Sequence, residues 1–190
     1  MKNKKYVLLV GGFGQVGREL TQYLLEKGHS VHVITNKKVV KKKKNFLVSN
    51  FDISNKKKVF RFLRRNNINS IYFLASHNIS STEKESDSIS ENNIKTNVIS
   101  LTNFLNYIFS YDKNIRLFYT SSSHIFNEQF MYPQKENTKP KFNSFYALAK
   151  FLGKEICEFY RNEKKVFCSV GIMYTNVSKN VRKNFLIKTI

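Results

Sequence analysis

Short apolar runs alternate with longer amphipathic stretches along the chain. Six of the runs have the length of a β-strand, and apolar residues recur at helical spacing in the stretches between them. The predicted strands are residues 6–10, 31–34, 46–48, 71–75, 115–120 and 166–170, and the predicted helices are residues 15–27, 56–66, 94–109 and 144–161. This alternation predicts right-handed crossovers and a parallel sheet with helices on both faces. We therefore expect an α/β fold with a Rossmann-like, doubly wound parallel sheet.

Three segments do not fit the alternation. Residues 37–44 contain six lysines in eight positions, which predicts a solvated loop between the second and third strands. Residues 76–93 are polar and rich in serine, so a second loop is expected there. Residues 181–190 are a last helix candidate, which ends without a cap or a glycine.

The scarce glycines concentrate between the first strand and the first helix. Four of the seven lie in residues 11–17, with the spacings Gly12-x-Gly14-x-x-Gly17 and Gly11-x-x-Gly14-x-x-Gly17. Glycines in this context allow a sharp turn, let the backbone approach a pyrophosphate and present a helix N-terminus to the anion. A plain tight turn is the alternative. The pattern predicts a dinucleotide-binding turn whose candidate contacts are Gly11, Phe13, Gly14, Gln15, Val16 and Gly17.

The residues after the second strand bear on the choice of cofactor. Enzymes that use NAD place an acidic residue there, about 20 residues after the glycines, to bind the ribose 2′-hydroxyl. This chain has Asn36, Lys37 and Lys38 instead, and a lysine can neutralise a 2′-phosphate. The sequence therefore favours NADP over NAD, with Asn36 and Lys37 as candidate contacts. Alternatively, the lysines belong only to the exposed loop.

Tyr146 and Lys150 are the candidate catalytic pair. They lie four residues apart in a predicted helix and therefore share one face. Tyrosine is a poor base at its ordinary pKa of about 10, but a neighbouring lysine cation and an oxidised nicotinamide favour the phenolate. Ser122 follows the fifth strand, at the edge where doubly wound sheets bind ligands, and its hydroxyl can bind a substrate oxygen. A helix cap or a polar loop is the alternative interpretation of the serines.

Further segments complete a pattern that runs in sequence order. They are Asp52-Ile53, Leu74-Ala75-Ser76, Asn97, Ser121-Ser122 and Tyr146-Ala147-Leu148-Ala149-Lys150. Together with the glycine turn, they resemble the extended short-chain dehydrogenase/reductases, the family of nucleotide-sugar epimerases and dehydratases. The resemblance implies that Asp52 and Ile53 lie near the adenine. It also implies that Leu74 and Ala75 lie beneath the cofactor and that Lys150 holds the ribose hydroxyls.

Within that family the chain resembles the GDP-mannose 4,6-dehydratases in particular. Residues 116–119, 133–138, 144–150 and 171–174 carry this likeness. It implies an NADP-dependent enzyme acting on a nucleotide sugar, with Tyr146 as the base on the 4-hydroxyl and Ser122 on the same oxygen. The hydride would pass from C4 to NADP.

The chain departs from that subgroup around the expected substrate. His124 stands where the dehydratases carry the acidic residue that removes the C5 proton, and Phe126 and Asn127 replace a tyrosine and a glycine. A neutral imidazole is a competent base near neutral pH, so His124 is a candidate catalytic residue, with Glu128 as a stand-in. Alternatively, His124 marks the loss of elimination, which is the outcome we expect. The other functions that remain open are a 4-epimerase or 4-keto reductase, and an NAD(P)-binding fold without turnover.

The family also implies a domain division and a partner. Residues 1–175 are expected to form the NAD(P)-binding domain, and residues 176–190 the start of a substrate-binding region that is truncated or missing. Helices 94–109 and 144–161 commonly pair across a homodimer in this family. The second helix carries apolar residues on more than one face: Leu148, Phe151, Leu152, Cys157 and Phe159.

Composition narrows the remaining classes. The chain has 190 residues, of which 41% are hydrophobic, and this suits one packed domain. Its formal net charge is +20, but 26 of the 33 basic residues are lysines and there are 22 asparagines, which is typical of compositional bias; we expect no specific nucleic-acid site. Two cysteines form neither a disulfide framework nor a metal site, and the first apolar run is too short for a signal peptide or a membrane span. A cytoplasmic protein without a metal is expected.

Overall fold

A seven-stranded sheet forms the centre of the fold. The computed structural model describes residues 4–36, 42–77, 86–126 and 133–176. The strands are β1 (Tyr6–Val10), β2 (Ser30–Thr35), β3 (Lys42–Lys43), β4 (Phe46–Asn50), β5 (Ser70–Phe73), β6 (Arg116–Ser122) and β7 (Cys168–Met173). Six of these are parallel in the order β4-β2-β1-β5-β6-β7, and β3 pairs antiparallel with β4 at one edge. The predicted Rossmann-like parallel sheet is confirmed.

Helices pack on both faces of the sheet. They are α1 (Gln15–Glu26), α2 (Lys56–Arg65), α3 (Asp87–Ile94), α4 (Leu101–Tyr111) and α5 (Phe145–Asn162), and a π-helical turn, Lys95–Ser100, joins α3 to α4. A side-chain cap begins α2, where Asn55 Oδ1 accepts a hydrogen bond from Lys58 N at 3.1 Å. Ser144 Oγ caps α5 in the same way, accepting from Ala147 N at 3.2 Å. Such caps satisfy N–H groups that the first helical turn leaves unpaired.

The apolar run of β1 feeds two separate hydrophobic clusters. Leu8 and Val10 point to a large cluster under α2, α4 and α5, whereas Val7 and Leu9 point to a smaller one under α1. All four side chains are buried. Because successive strand residues face opposite sides, a continuous apolar run is what a sheet covered on both faces requires.

Two of the predicted loops contain regular structure. Residues 87–93, expected in a polar loop, form most of α3, and Lys42–Lys43 of the lysine-rich segment form β3. The helical segment was missed because its buried residue, Asn93, is polar. Residues 37–41 and the helix candidate at 181–190 lie outside the described residues.

The strand order places a crevice at the carboxyl edge of the sheet. From β1 the chain proceeds outward to β2 and β4 on one side, and then returns to lay β5, β6 and β7 on the other. Because the strand order reverses here, the loops after β1 and β5 lead away from each other and leave a crevice between them. Doubly wound folds hold their ligands in this crevice. The loops after β1, β5 and β6 therefore line the candidate site.

Candidate active site

At two positions of the turn after β1 a Cβ would overlap backbone atoms. Gly11 has φ +89°, and a Cβ there would lie 2.7 Å from Ala75 N in the loop after β5. A Cβ on Gly17 would lie 2.6 Å from Gly11 O, since the first turn of α1 packs directly on the loop. Gly14 differs in degree, because a Cβ there would make one tight contact, with Gly11 O at 3.3 Å. The protein therefore crowds Gly14 less than Gly11 and Gly17.

The N-terminus of α1 faces this turn without a side-chain cap. Its N-cap is Gly14, and its first turn contains no acidic residue. The helix therefore presents unneutralised N–H groups and a positive dipole end, the features that bind phosphate. Phe13 packs against the cluster under α1, Val16 is half-buried, and Gln15 Nε2 donates to Asn176 O at 2.6 Å. Of these predicted contacts, Gln15 is already engaged by the segment after β7.

The other predicted cofactor contacts lie along the same edge. Asn36 is exposed after β2, and Lys37 lies outside the described residues. Ile53 packs on the large cluster. Asp52 forms an ion pair with Lys95 at 2.9 Å and accepts hydrogen bonds from Ser54 N and Oγ. Partial burial acts to raise the pKa of Asp52, but the contacts with Lys95 and Ser54 outweigh it and leave the pKa lowered.

The loop after β5 passes beneath the glycine turn. Leu74 N donates to Val10 O at 2.8 Å, and the Ala75 backbone closes against Gly11. Ser76 follows, and its Oγ is buried without a hydrogen-bond partner among the described residues. The predicted pair Leu74 and Ala75 therefore joins the loops after β1 and β5 into one surface.

Lys150 is the most deeply buried charged residue of the site. It is only 2% exposed, and its Nζ donates to Thr120 O at 2.7 Å. The same atom lies 5.0 Å from the Tyr119 ring centroid and 5.9 Å from that of Tyr146. Burial lowers the pKa of Lys150 to about 7. Near neutral pH the side chain is consequently an amine and an ammonium in comparable amounts.

Tyr146 lies beside two serine hydroxyls. Burial raises its pKa above the ordinary value, and the hydroxyls of Ser122 and Ser76 oppose that rise by favouring the ionised form. Ser76 is close enough to exert this effect, although its hydroxyl does not reach hydrogen-bond geometry. The groups that shift the pKa of Tyr146 in this structure are the serines and burial. The expected effect of the Lys150 cation together with an oxidised nicotinamide stays a prediction. Burial is the largest influence on the pKa of both Tyr146 and Lys150, and for Tyr146 the two serine hydroxyls oppose it.

His124 completes the group of predicted catalytic residues. Its ring stands edge-on to Tyr146, with centroids 5.7 Å apart and an interplanar angle of 86°. Its backbone N donates to Ser122 Oγ at 3.3 Å, and its side chain is exposed. The fold therefore brings Ser122, His124, Tyr146 and Lys150 together, whereas Asn127 and Glu128 lie outside the described residues.

Two asparagines support the site from the helix opposite. Asn97 Oδ1, in the π turn, accepts a hydrogen bond from the buried Tyr119 hydroxyl at 3.2 Å. Asn103 Nδ2, in α4, donates to Ile53 O at 3.2 Å and to Ser54 O at 3.0 Å. The roles of Tyr119 and Asn103 were missed from the sequence. Asn103 had one usable signal, a polar residue between the apolar positions Leu101 and Leu105 of an amphipathic helix.

The sheet order and the glycine turn define the class of this protein, the doubly wound nucleotide-binding α/β folds. Within that class it belongs to the GDP-mannose 4,6 dehydratase family, whose model matches residues 8–190. A GDP-mannose 4,6-dehydratase of Vibrio cholerae is 23% identical over 99% of this chain and 54% of its own length. The GDP-mannose 4,6 dehydratase of Drosophila melanogaster is 25% identical over 98% of this chain and 51% of its own length. The resemblance to nucleotide-sugar epimerases and dehydratases is confirmed.

Solved structures share the fold at low identity. A dTDP-glucose 4,6-dehydratase from Bacillus anthracis in complex with NAD superposes with a TM-score of 0.81 and 19% identity, covering 97% of this chain and 59% of that one. A UDP-glucose 4-epimerase from Brucella ovis in complex with NAD superposes with a TM-score of 0.75 and 15% identity. The match covers 87% of this chain and 50% of the epimerase. The chain spans about half the length of the relatives it matches.

The described residues contain neither a membrane-spanning helix nor a candidate metal cluster. No helix in residues 4–36, 42–77, 86–126 and 133–176 is long and apolar enough to cross a membrane. Within the same residues, no group of three or more His, Cys, Asp and Glu side chains could hold a metal ion.

Proposed function

We propose that this chain works in an NADP-dependent nucleotide-sugar modifying enzyme of the GDP-mannose 4,6-dehydratase type, which oxidises the sugar at C4. One observation carries the proposal: Ser122, Tyr146 and Lys150 lie together at the carboxyl edge, next to the glycine turn. The family supplies the substrate class, since its members are nucleotide-sugar dehydratases and epimerases.

The residues present fit a dinucleotide. A pyrophosphate needs a glycine without a Cβ at the turn, an uncapped helix N-terminus and no acidic residue in the first turn. Gly14 and the start of α1 provide these features. Gly11, Gly14 and Gly17 would hold the pyrophosphate, and Asp52 and Ile53 would lie at the adenine end. When bound, the nicotinamide supplies the hydride acceptor. Asn36 leaves the end of β2 without a carboxylate, which supports NADP.

The protein's own groups would move one proton and hold one oxygen. Tyr146 accepts the proton of the sugar 4-hydroxyl, and Ser122 binds the same oxygen so that it stays aligned. Lys150 cannot act simply as a fixed cation, because burial leaves its pKa at about 7. Its hydrogen bond to Thr120 O holds the amine beside both tyrosine rings, where either protonation state persists near neutral pH.

His124 favours a second candidate, a 4-epimerase or 4-keto reductase. Elimination needs a base for the C5 proton, and a histidine edge-on to Tyr146 stands where the dehydratases carry an acid. Oxidation at C4 followed by return of the hydride needs no such base. We therefore propose that elimination is impaired and that chemistry at C4 is retained.

Product analysis in heavy water tests these proposals. The purified chain is incubated with NADP and, in turn, GDP-mannose, UDP-glucose and dTDP-glucose. A sugar inverted at C4 without label supports the second candidate in its epimerase form, and a 4-keto-6-deoxy sugar labelled at C5 supports elimination through His124 or Glu128. The reductase form is tested separately, with NADPH and a 4-keto-6-deoxy nucleotide sugar as the hydride acceptor. If the chain converts none of the three substrates, the proposed function is contradicted.

Tyr146→Phe is the matching variant. It should lower turnover about 10²- to 10⁴-fold, the usual contribution of a general acid–base group. Tyr160→Phe is the control, because Tyr160 lies on the same helix but donates its hydroxyl to Asn106, at 2.6 Å. Turnover that survives Tyr146→Phe unchanged would remove Tyr146 from the mechanism.

We also propose that the chain forms a homodimer through α4 and α5. Phe159 on α5 is 50% exposed, and Phe109 on α4 and Ile99 in the π turn are also exposed. Cys157, which the sequence placed with the apolar surface, is instead fully buried in the core. Light scattering should give the mass of two chains, and Phe159→Glu should give one. Tyr23→Glu, an equally exposed aromatic on α1, should leave the dimer intact, and a wild-type monomer at high concentration would exclude it.

A further inference from the structure

The Ser76 hydroxyl has no evident structural role. Among the described residues, only Ser76 Oγ and Asn93 Nδ2 are buried side-chain polar atoms without a hydrogen-bond partner. Buried hydroxyls are almost always paired, because leaving one unpaired costs the free energy of its lost hydration. An unpaired hydroxyl in a candidate site is therefore available to a group that changes during the reaction.

The two serines come from neighbouring strands of the sheet. The pairing of β5 with β6 ends where Phe73 is level with Tyr119. Ser76 lies in the loop three residues after Phe73, and Ser122 is the last residue of β6. Both hydroxyls lie near Tyr146, since both favour its ionised form. The site therefore places one serine hydroxyl from each of the two segments beside Tyr146.

Two other groups near Tyr146 direct their donors elsewhere. Lys150 on α5 lies 5.9 Å from the ring centroid and donates to Thr120 O. Tyr119 in β6 donates its hydroxyl to Asn97. His124 meets the Tyr146 ring edge-on.

We propose that Ser76 is a positioning residue for Tyr146, and that its hydroxyl and that of Ser122 together hold the Tyr146 oxygen in the orientation that receives the substrate proton. This rests on the proposed function, because it assigns Tyr146 the part of a base. When Tyr146 ionises, the Ser76 hydroxyl rotates to donate to the phenolate. The hydrogen bond missing from the neutral form is thereby made in the ionised form, so Ser76 favours proton transfer without stabilising the resting protein.

The test follows the ionisation of Tyr146 directly. Protein labelled with ¹³C at the tyrosine ζ-carbon is titrated by NMR, and Tyr146→Phe assigns the resonance. Ser76→Ala should move the Tyr146 midpoint upward by about one pH unit, a tenfold loss of the ionised form, as expected for a hydrogen bond to a charged oxygen. Ser76→Thr, which keeps the hydroxyl, should restore the wild-type midpoint. Ser123→Ala, a control at a buried serine next to Ser122, should not move it.

Stability and turnover separate the possible outcomes. Ser76→Ala should melt at the wild-type temperature, because no hydrogen bond is lost, and Ser76→Gly gives a second removal of the hydroxyl if alanine disturbs the fold. Where turnover is measurable, kcat should fall about tenfold with KM unchanged. An unmoved midpoint in Ser76→Ala or Ser76→Gly overturns the proposal, as does weaker NADP binding with an unmoved midpoint. If the Tyr146 midpoint shifts but no sugar is turned over, the role of Ser76 in favouring Tyr146 ionisation is supported. Only the proposed function is then contradicted.

Discussion

The glycine turn and the group of side chains around Tyr146 lie on the same edge of the sheet but are built in opposite ways. The turn is one contiguous segment whose geometry depends on missing side chains: a Cβ on Gly11 or Gly17 would overlap backbone. The Tyr146 group draws on the loops after β5 and β6 and on α5, and depends on polar side chains that are buried at a cost. Local sequence specifies the first region, and tertiary packing specifies the second.

The difference also concerns charge. The turn presents fixed backbone dipoles, whose strength does not change with pH. Two titratable residues of the Tyr146 group have pKa values that burial drives apart, upward for Tyr146 and downward for Lys150. The first region is suited to holding an anion permanently and the second to moving a proton.

We expect the largest effect from a substitution that disrupts the glycine turn. Gly11→Ala forces a positive φ on alanine and drives its Cβ into the Ala75 backbone, so we expect a loss of about 2–5 kcal/mol in the free energy of unfolding. Gly14→Ala has φ −70° and a single tight contact, at 3.3 Å, so it should lose much less stability than Gly11→Ala but lose dinucleotide binding. Urea unfolding and calorimetric titration measure the two quantities. Equal stability of both variants would show that the loops after β1 and β5 do not need their close contact.

The second-largest expected effect is the pH dependence of stability that the titration of Lys150 causes. Its pKa falls from 10.5 unfolded to about 7 folded, so the unfolded chain binds more protons between these values and wild-type stability rises with pH there. Below pH 7 the full cost of a buried cation is present. Lys150→Met removes that cost, so its stability relative to wild type should decline by about 2–3 kcal/mol between pH 6 and pH 9.

A neighbouring lysine provides the control for this titration. Lys154 forms ion pairs with Glu155 at 2.8 Å and Glu158 at 2.9 Å, and these contacts outweigh partial burial and raise its pKa. It therefore stays charged throughout the same range, and Lys154→Met should differ from wild type by a constant amount. Parallel curves for the two variants would contradict the burial of charge at Lys150.

The smallest effect concerns the cofactor end of the turn. Asn36→Asp places a carboxylate after β2, where it repels a 2′-phosphate and can accept from a 2′-hydroxyl. We expect wild type to bind NADP more tightly than NAD and the variant to shift the ratio of the two dissociation constants about tenfold towards NAD. Asn67→Asp, an exposed change of the same charge at the opposite edge of the sheet, should leave the ratio unaltered. Wild type that prefers NAD would exclude the role assigned to Asn36.

The two regions also differ in how well the sequence predicts them. Residues 6–10 form β1 with the predicted bounds, and the glycine spacing predicts a turn, because both signals lie within a few adjacent residues. The pairing of Tyr146 with Lys150 follows from helical spacing. The contact of Ser76 with Tyr146 could not be predicted, since it depends on the register of β5 and β6 and on how α5 packs against them.

Helix α3 shows a second reason for failure. Hydrophobic periodicity identifies a helix by its apolar face, and α3 turns Asn93 inward. The pKa of Lys150 illustrates the same limit, because a sequence shows the charge of a lysine but not the desolvation that burial imposes.

The π turn at Lys95–Ser100 accounts for the direction that α3 faces. An α-helix advances about 100° for each residue, and a π turn accommodates one residue more than an α turn, so the side chains before it are rotated by about that angle relative to a continuous helix. As a result α4 turns Leu101, Leu105 and Ile108 to the apolar core, while the buried Asn93 contacts Asn97, which bonds to Tyr119. Deleting a single residue within 95–100 would restore a continuous helix and rotate α3 by about a quarter of a turn. Asn93 would then face away from the site, although every strand and the glycine turn would remain in place.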